Sequence, residues 1–243
     1  MSSHRLSIVI PAYNEKPTVA SLLDRVVGIS LNDIEKEIIV VESNSQDGTR
    51  AVVQAFEASR KIKAIYQERP FGKGHALKTG LAAATGDLIL IQDADLEYEV
   101  AEYPKLLEPL ITGEALFVLG SRHLGLGWAY RTHVAKTWLF HFINAGAWSY
   151  TQLFNVLYGQ SLTDPCTMYK VFRRECLEGI TLQSNGFDMD WEIVAKMVRK
   201  GIRPLEVAVT YRSRSWAEGK KVQLWRDGWA SLWAILRFRI GNL

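Results

Sequence analysis

Thiols are scarce in this chain, with Cys166 and Cys176 the only two among 243 residues. They make no metal-ligand spacing and no disulfide framework, and they suit a reducing compartment such as the cytosol. No histidine near Cys166 supports a nucleophile, so it reads as a small buried residue. Charge of one sign is lacking too. Lys and Arg number 29 against 26 Asp and Glu, and a net charge of +3 is too small a surplus to argue for nucleic acid. Repeats and low-complexity linkers are absent, and no secretory leader is expected, because residues 1–5 run straight into an apolar stretch. Residues 137–163 carry no formal charge and are numerous enough to span a bilayer. His141, Asn144, Thr151, Gln152 and Asn155 nevertheless recur there at three- to four-residue steps, with Trp148 filling the missing place. That pattern predicts an amphipathic helix at about 134–158, packed on the domain or lying in a membrane interface.

What the chain does have is a regular alternation. Apolar runs at 6–10, 37–41, 63–67, 88–91 and 116–120 read as strands. Between them lie helical patterns near 17–27, 49–59, 75–84 and 103–111, with Pro17 suited to a first turn and Asp47 or Thr49 to a cap. Alternation of this kind predicts the α/β class, with a mostly parallel sheet covered by helices on both faces. The second half continues with strands at 168–172 and 204–211, a helix at 188–200 and a C-terminal helix from 222. The predicted division is a catalytic-looking domain at 1–215 and an amphipathic, membrane-facing helix at 216–243. In that last helix Trp225, Trp229, Trp233, Leu236 and Ile240 form one stripe, flanked by Arg226, Arg237 and Arg239. Aromatic rings and cations on one face suit the headgroup region of an anionic membrane, although simple packing on the domain would also use the first two tryptophans.

The stretch Gly86-Asp87-Leu88-Ile89-Leu90-Ile91-Gln92-Asp93-Ala94-Asp95-Leu96-Glu97 is the most telling. It is an apolar strand that delivers carboxylates at alternate positions beyond its end, and alternate residues of an extended chain share a face. Clustered carboxylates repel, and a hard divalent cation such as Mg²⁺ or Mn²⁺ relieves that repulsion while leaving coordination positions for substrate phosphates. A solvated loop or a helix cap would use the same residues.

Further motifs arrive in order. Val9-Ile10-Pro11-Ala12-Tyr13-Asn14-Glu15 closes the first strand, and Val40-Val41-Glu42-Ser43-Asn44-Ser45-Gln46-Asp47-Gly48-Thr49 the second. Gly72-Lys73-Gly74-His75-Ala76 opens a helix, and Asp93-Ala94-Asp95 closes the fourth strand. With Gly120-Ser121-Arg122, Thr163-Asp164, residues 169–174 and Tyr211-Arg212-Ser213-Arg214, the chain resembles inverting family 2 glycosyltransferases of the GT-A fold. Within them it is most similar to the polyprenyl-phosphate branch that includes dolichyl-phosphate mannose synthase.

The resemblance implies a hexosyltransferase that uses Mg²⁺ or Mn²⁺, a nucleotide-sugar donor such as GDP-mannose or UDP-glucose, and a polyprenyl-phosphate acceptor. It would work peripherally on the cytoplasmic face of a membrane. Pro11, Tyr13 and Glu15 would line the nucleotide pocket, and Glu42 would contact base or ribose. Asp93 and Asp95 would meet metal and diphosphate, with Glu97 also serving the metal, and Arg122 and Arg214 would face phosphate. Glu42-Ser43 departs from the Asp-Asp pair of many relatives, which leaves the base open. Arg131 lies near a second phosphate-binding arginine of the branch, and Lys220 and Lys221 add to a basic cluster. Asp190 is expected to orient a phosphate-binding arginine or to cap a helix. As a base it would instead serve a hydroxyl acceptor, since a sugar hydroxyl needs one and a phosphate does not. Lys73 and His75 lack P-loop spacing and are expected only to position their helix. A binding module without turnover is the non-enzymatic alternative.

Overall fold

Aliphatic and β-branched residues dominate the central strands, β1 (Arg5–Ala12), β2 (Glu35–Glu42) and β4 (Leu88–Ile91), and are buried on both faces. Burial on both faces requires helical cover. In the first half it comes from α1 (Lys16–Gly28), α2 (Thr49–Ala58), α3 (Lys73–Ala83) and α4 (Tyr103–Ile111), with β3 (Lys63–Tyr66) and β5 (Phe117–Ser121) between them. After these come α5 (Trp138–Tyr158), β6 (Lys170–Arg173), α6 (Met189–Arg199), β7 (Leu205–Ala208) and α7 (Leu224–Ile240). This computed structural model describes residues 4–125, 138–214 and 224–240, without the side chains of 138–143, 224, 225 and 227. Arg131, Lys220, Lys221 and the side chains of His141 and Trp225 therefore lie outside the described residues.

The seven strands form one sheet in the order β3-β2-β1-β4-β6-β5-β7. Every neighbouring pair is parallel except those of β6, which runs antiparallel to β4 and β5. Two consequences place the site. From β1 the order runs to β2 on one side and to β4 on the other, and the crevice of an open α/β sheet opens at such a switch point, beyond the carboxyl ends of the strands. The reversed β6 also brings its first residue, Lys170, to that same end, since Leu90 pairs with Val171 and Leu88 with Arg173.

The last two long helices dock by named contacts. The Arg199 guanidinium donates to the Phe238 carbonyl (2.9 Å) and the Tyr158 hydroxyl to the Ile235 carbonyl (2.8 Å). Ala234, Ile235 and Phe238 of α7 are buried, whereas Trp229 (68% exposed), Trp233 (64%) and Ile240 (87%) face outward. In α5 the polar positions turn partly inward: Asn144 and Thr151 are buried, while Val156 is exposed. Asn155 closes the helix by exchanging two hydrogen bonds with the Leu162 backbone. Among the described residues, no helix is long and apolar enough to cross a membrane.

Candidate active site

The ends of β1 and β2 are laced together by the small polar residues that follow them. Asn14, in the left-handed region (φ 49°), donates its amide to Ser45 Oγ (2.9 Å) and accepts the Gln46 amide on its side chain (2.9 Å). Asp47 accepts the amides of Lys16 (3.0 Å) and Thr49 (2.9 Å), and Thr49 Oγ1 accepts the Glu15 amide (2.8 Å). Asp47 thus caps α2 from just outside it, the cap position itself being Gly48. This lacing sets Pro11, Tyr13, Glu15 and Ser43 along one wall of the cleft.

Glu42 does not join them. Fully buried, it accepts the amides of Ser45 (2.6 Å) and Asn44 (3.2 Å) and pairs with Arg50 Nε (2.5 Å). The carboxylate expected at base or ribose is committed to its own turn, and the next residue, Ser43, reaches the cleft wall. Ser43 Oγ donates to Gln67 Oε1 (2.8 Å), and Gln67 Nε2 meets His75 Nδ1 (2.8 Å).

The Gly72-Lys73-Gly74 turn does more than start a helix. Gly72 sits at φ 102°, a region costly for any residue with a Cβ, and a Cβ there would lie 2.2 Å from the Asn185 carbonyl oxygen. A Cβ on Gly74 would lie 2.7 Å from the Ser184 carbonyl oxygen, while the Gly74 amide donates to the Asn185 carbonyl (2.8 Å). Residues 183 and 184 are held in turn by the buried Glu192 carboxylate, which accepts both their amides at 2.7 Å and pairs with Lys196 at 2.9 Å. Clamped this way, the turn aims Lys73 into the cleft, 2.9 Å from Asp93 and 3.9 Å from Asp190. Burial alone would lower the Lys73 pKa, but Asp93 and Asp190 outweigh it and hold the ammonium charged. Sequence reasoning set Lys73 aside, and only its distance from Asp93 reveals it.

Beyond β4 the carboxylates are already in use. Arg214 contacts Glu15 (2.9 Å), Asp95 (2.7 Å) and Glu97 (3.5 Å). Glu97 accepts the Tyr211 hydroxyl and the Arg214 amide, both at 2.7 Å, so its carboxylate faces the 211–214 segment. Among the described residues no group of three or more His, Cys, Asp or Glu is arranged to hold a metal ion. The expected sharing of one ion by Asp93, Asp95 and Glu97 is thus not the arrangement seen, because each has a cation or strap contact of its own. The donor chemistry still fits a hard cation. Asp93 and Asp95 both line the cleft, and burial, with Asp93 and Glu97 adding to it, pushes the Asp95 carboxyl up to about 7 against the pull of Arg214.

Arg122 lines the cleft but grips Asp164 with Nε (2.6 Å) and Nη2 (2.7 Å) and lies 5.2 Å from the Tyr211 ring. Asp190 is corrected in two respects: the cap position of α6 is Asp188, and the cations beside Asp190 are Lys170 (3.5 Å) and Lys73 rather than an arginine. Lys170 is fully buried and also donates to the Thr167 carbonyl. Burial, reinforced by Asp190, pushes the Cys166 thiol up to about 12, so it is no thiolate at neutral pH.

Of these side chains, Tyr13, Lys73, Asp93, Asp95, Arg122, Asp190 and Arg214 open on one cleft of about 1300 Å³, which continues past Gly146, Ala147 and Tyr150 of α5 to Trp229 of α7. The crevice beyond the switch point of an open α/β sheet is where such sheets bind ligands, and here it holds acidic and basic groups side by side. Residues 7–181 match the glycosyl transferase family 2 domain, and the chain belongs to that family. It is 28% identical over 225 residues to a dolichol-phosphate mannosyltransferase of Pyrococcus furiosus, covering 89% of this chain and 59% of that protein. It is 26% identical to glycosyltransferase AglJ of Haloferax volcanii, covering 91% of this chain and 67% of that one. The chain therefore spans between half and about two thirds of the length of these curated relatives. In fold it is similar to glucosyl-3-phosphoglycerate synthase of Mycobacterium tuberculosis crystallised with UDP, with TM-score 0.71, 21% identity, and coverage of 97% of this chain and 80% of that one. The same synthase has been crystallised with Mn²⁺, UDP-glucose and phosphoglyceric acid.

Proposed function

We propose that this protein moves a hexose, mannose or glucose, from a nucleoside-diphosphate sugar to a polyprenyl phosphate at the cytoplasmic face of a membrane, with inversion. The observation that carries this reading is the single cleft running from the Lys73–Asp93 pair to Tyr150 and Trp229, where α7 begins its exposed aromatic stripe. A charged end suits the donor, and an end lined by Ala147 and Tyr150 of α5 and by Arg226 and Trp229 of the amphipathic α7 suits a lipid phosphate acceptor. The relative named a dolichol-phosphate mannosyltransferase supports the same acceptor.

In this scheme Pro11, Tyr13 and Ser43 border the nucleoside, and Lys73 stabilises the diphosphate as it leaves. Asp93 and Asp95 would hold Mg²⁺ or Mn²⁺, which supplies positive charge against the negative charge growing on that diphosphate. The acceptor phosphate oxygen bonds to the anomeric carbon as the bond to the diphosphate oxygen breaks on the opposite face. That oxygen is ionised near pH 7, so no base is required, and Asp190 is free to hold Lys73 and Lys170 in place.

A second reading, a hydroxyl acceptor with Asp190 as base, is favoured by one observation: Asp190 itself lines the cleft. The deciding experiment measures nucleoside diphosphate release from GDP-mannose and UDP-glucose with Mn²⁺, with and without a polyprenyl phosphate in detergent. Release that needs both metal and lipid phosphate, and survives Asp190→Asn, supports the first reading. Release that ignores the lipid and collapses in Asp190→Asn supports the second. No release from either donor overturns both and points to a binding module.

A further inference from the structure

We infer that Arg214 is a tethered counterion that keeps the place of a divalent cation until a nucleoside diphosphate arrives, so that ion and nucleotide enter as a coupled pair. The inference rests on the donor half of the reading above and concerns how that half is loaded.

Three carboxylates converge on one guanidinium, Glu15 from the end of β1 and Asp95 and Glu97 from beyond β4, at 2.9, 2.7 and 3.5 Å. One guanidinium there faces three carboxyl groups. The guanidinium is delivered by a strap. The Arg212 amide donates to the Glu97 carbonyl (2.8 Å), the Arg214 amide and Tyr211 hydroxyl both bind the Glu97 carboxylate (2.7 Å each), and Tyr211 bridges to Tyr98. The tether holds the Arg214 backbone beside the β4 end, so that its guanidinium reaches Asp95 at 2.7 Å. On the other flank Lys73 does the same for Asp93, at 2.9 Å.

A guanidinium and a hard divalent ion compete for the same carboxylate oxygens. The ion carries twice the charge but must shed water to bind, and with Arg214 seated on Asp95 it has to displace a charge already there. A diphosphate alters that balance. Its oxygens offer the guanidinium a planar, bidentate partner, and they also offer the ion ligands that two carboxylates alone do not provide. Arg214 then exchanges Asp95 for phosphate, and the vacated oxygen goes to the ion. Coupling of this kind is reciprocal: whatever factor the nucleotide adds to ion affinity, the ion adds to nucleotide affinity.

The test is Mn²⁺ binding to the full chain, read from the paramagnetic resonance signal of free Mn²⁺, alone and with GDP or UDP. The expected result is at least about tenfold tighter Mn²⁺ binding with one of the nucleotides, within the usual range of coupling between sites. Arg214→Gln is expected to bind Mn²⁺ alone several-fold more tightly than the wild type and to lose most of that coupling. Arg214→Lys, which keeps the charge, is expected to bind Mn²⁺ alone as weakly as the wild type. Equal Mn²⁺ affinity in the wild type with and without nucleotide would overturn the inference, as would an Arg214→Gln protein that is folded yet binds Mn²⁺ no better. If Arg214→Gln fails to fold, the wild-type coupling and the Lys variant decide alone. Coupling without turnover of any donor would sink the proposed transfer and leave this inference standing. Turnover without coupling would do the reverse.

Discussion

The Arg122 guanidinium and the Asp164 carboxylate form a two-bond fork, 2.6 and 2.7 Å, and the Arg122 amide donates to the same carboxylate at 3.0 Å. Both side chains are largely buried, and the pair joins the end of β5 to the loop before β6. Removing one member strands the other charge. Asp164→Asn or Arg122→Ala is therefore expected to destabilise the fold by about 3–5 kcal/mol, the usual cost of breaking a buried pair. Urea unfolding measures it, and a loss below about 1 kcal/mol would mean that the pair is solvated in practice.

The same pair predicts an acid limb in stability. Burial alone would raise the Asp164 carboxyl, but Arg122 outweighs it and holds the group below the usual aspartate range. A depressed folded pKa means that the unfolded chain takes up the proton first as pH falls. The contribution is complete above about pH 4, the ordinary unfolded value, and is lost as pH drops through the lower folded value. Melting followed between pH 6 and pH 3 should show a steeper acid decline for the wild type than for Asp164→Asn. Parallel declines would assign the acid sensitivity to other carboxylates.

Among the described residues, the seven strands and seven α-helices were legible as patterns, because two-sided burial in Leu88–Ile91 and turn chemistry in Asp47-Gly48-Thr49 are local properties. The direction of β6 was not, since a four-residue apolar run has no polarity, and only its register against Leu88 and Leu90 fixes it. Asp93 and Asp95 could be placed at the cleft from their spacing together with the apolar run Leu88–Ile91 that precedes them. The fate of Glu42 could not, because its partner Arg50 lies eight residues on, across a turn whose geometry decides which of Glu42 and Ser43 faces the ligand. Lys73 was hidden for a similar reason. Its importance comes from Asp93 and Asp190, which lie 20 and 117 positions away in sequence and meet it only in the folded chain.

Lys73 and the glycine after it make separate predictions. Lys73→Ala removes the positive charge facing the leaving diphosphate and should lower kcat/KM by roughly 10²-fold, the scale for losing one preorganised charge stabiliser, with Lys73→Arg retaining part of the activity. Gly74→Ala keeps the lysine but forces a Cβ into the Ser184 carbonyl at 2.7 Å, where the close atoms are backbone and have little room to yield. Overpacking of that kind costs about 1–3 kcal/mol and should also swing Lys73 off Asp93, so stability and donor affinity should fall together. A Gly74→Ala protein with wild-type melting and wild-type donor KM would show that the 184–186 loop is softer than its contacts imply.

The outward face of α7 bears on where the protein works. Trp229, Trp233, Leu236 and Ile240 follow one another at four-, three- and four-residue steps, so the exposed residues share a side of the helix, while Ala234, Ile235 and Phe238 hold the other side to the domain. If that stripe enters an interface, immersing one large apolar side chain is worth on the order of 1.5–3 kcal/mol at full burial, and partial immersion still about tenfold in partitioning. Trp233→Ser and Ile240→Ser should therefore each reduce co-sedimentation with anionic phosphatidylglycerol vesicles by about tenfold. Neither should shift the melting temperature, because at 64% and 87% exposure both side chains contribute little to the folded core. Added salt should weaken binding further where Arg226 supplies charge from the same exposed helix. Vesicle binding that is unchanged in both variants would remove the stripe from any membrane role and leave its exposure unexplained by lipid.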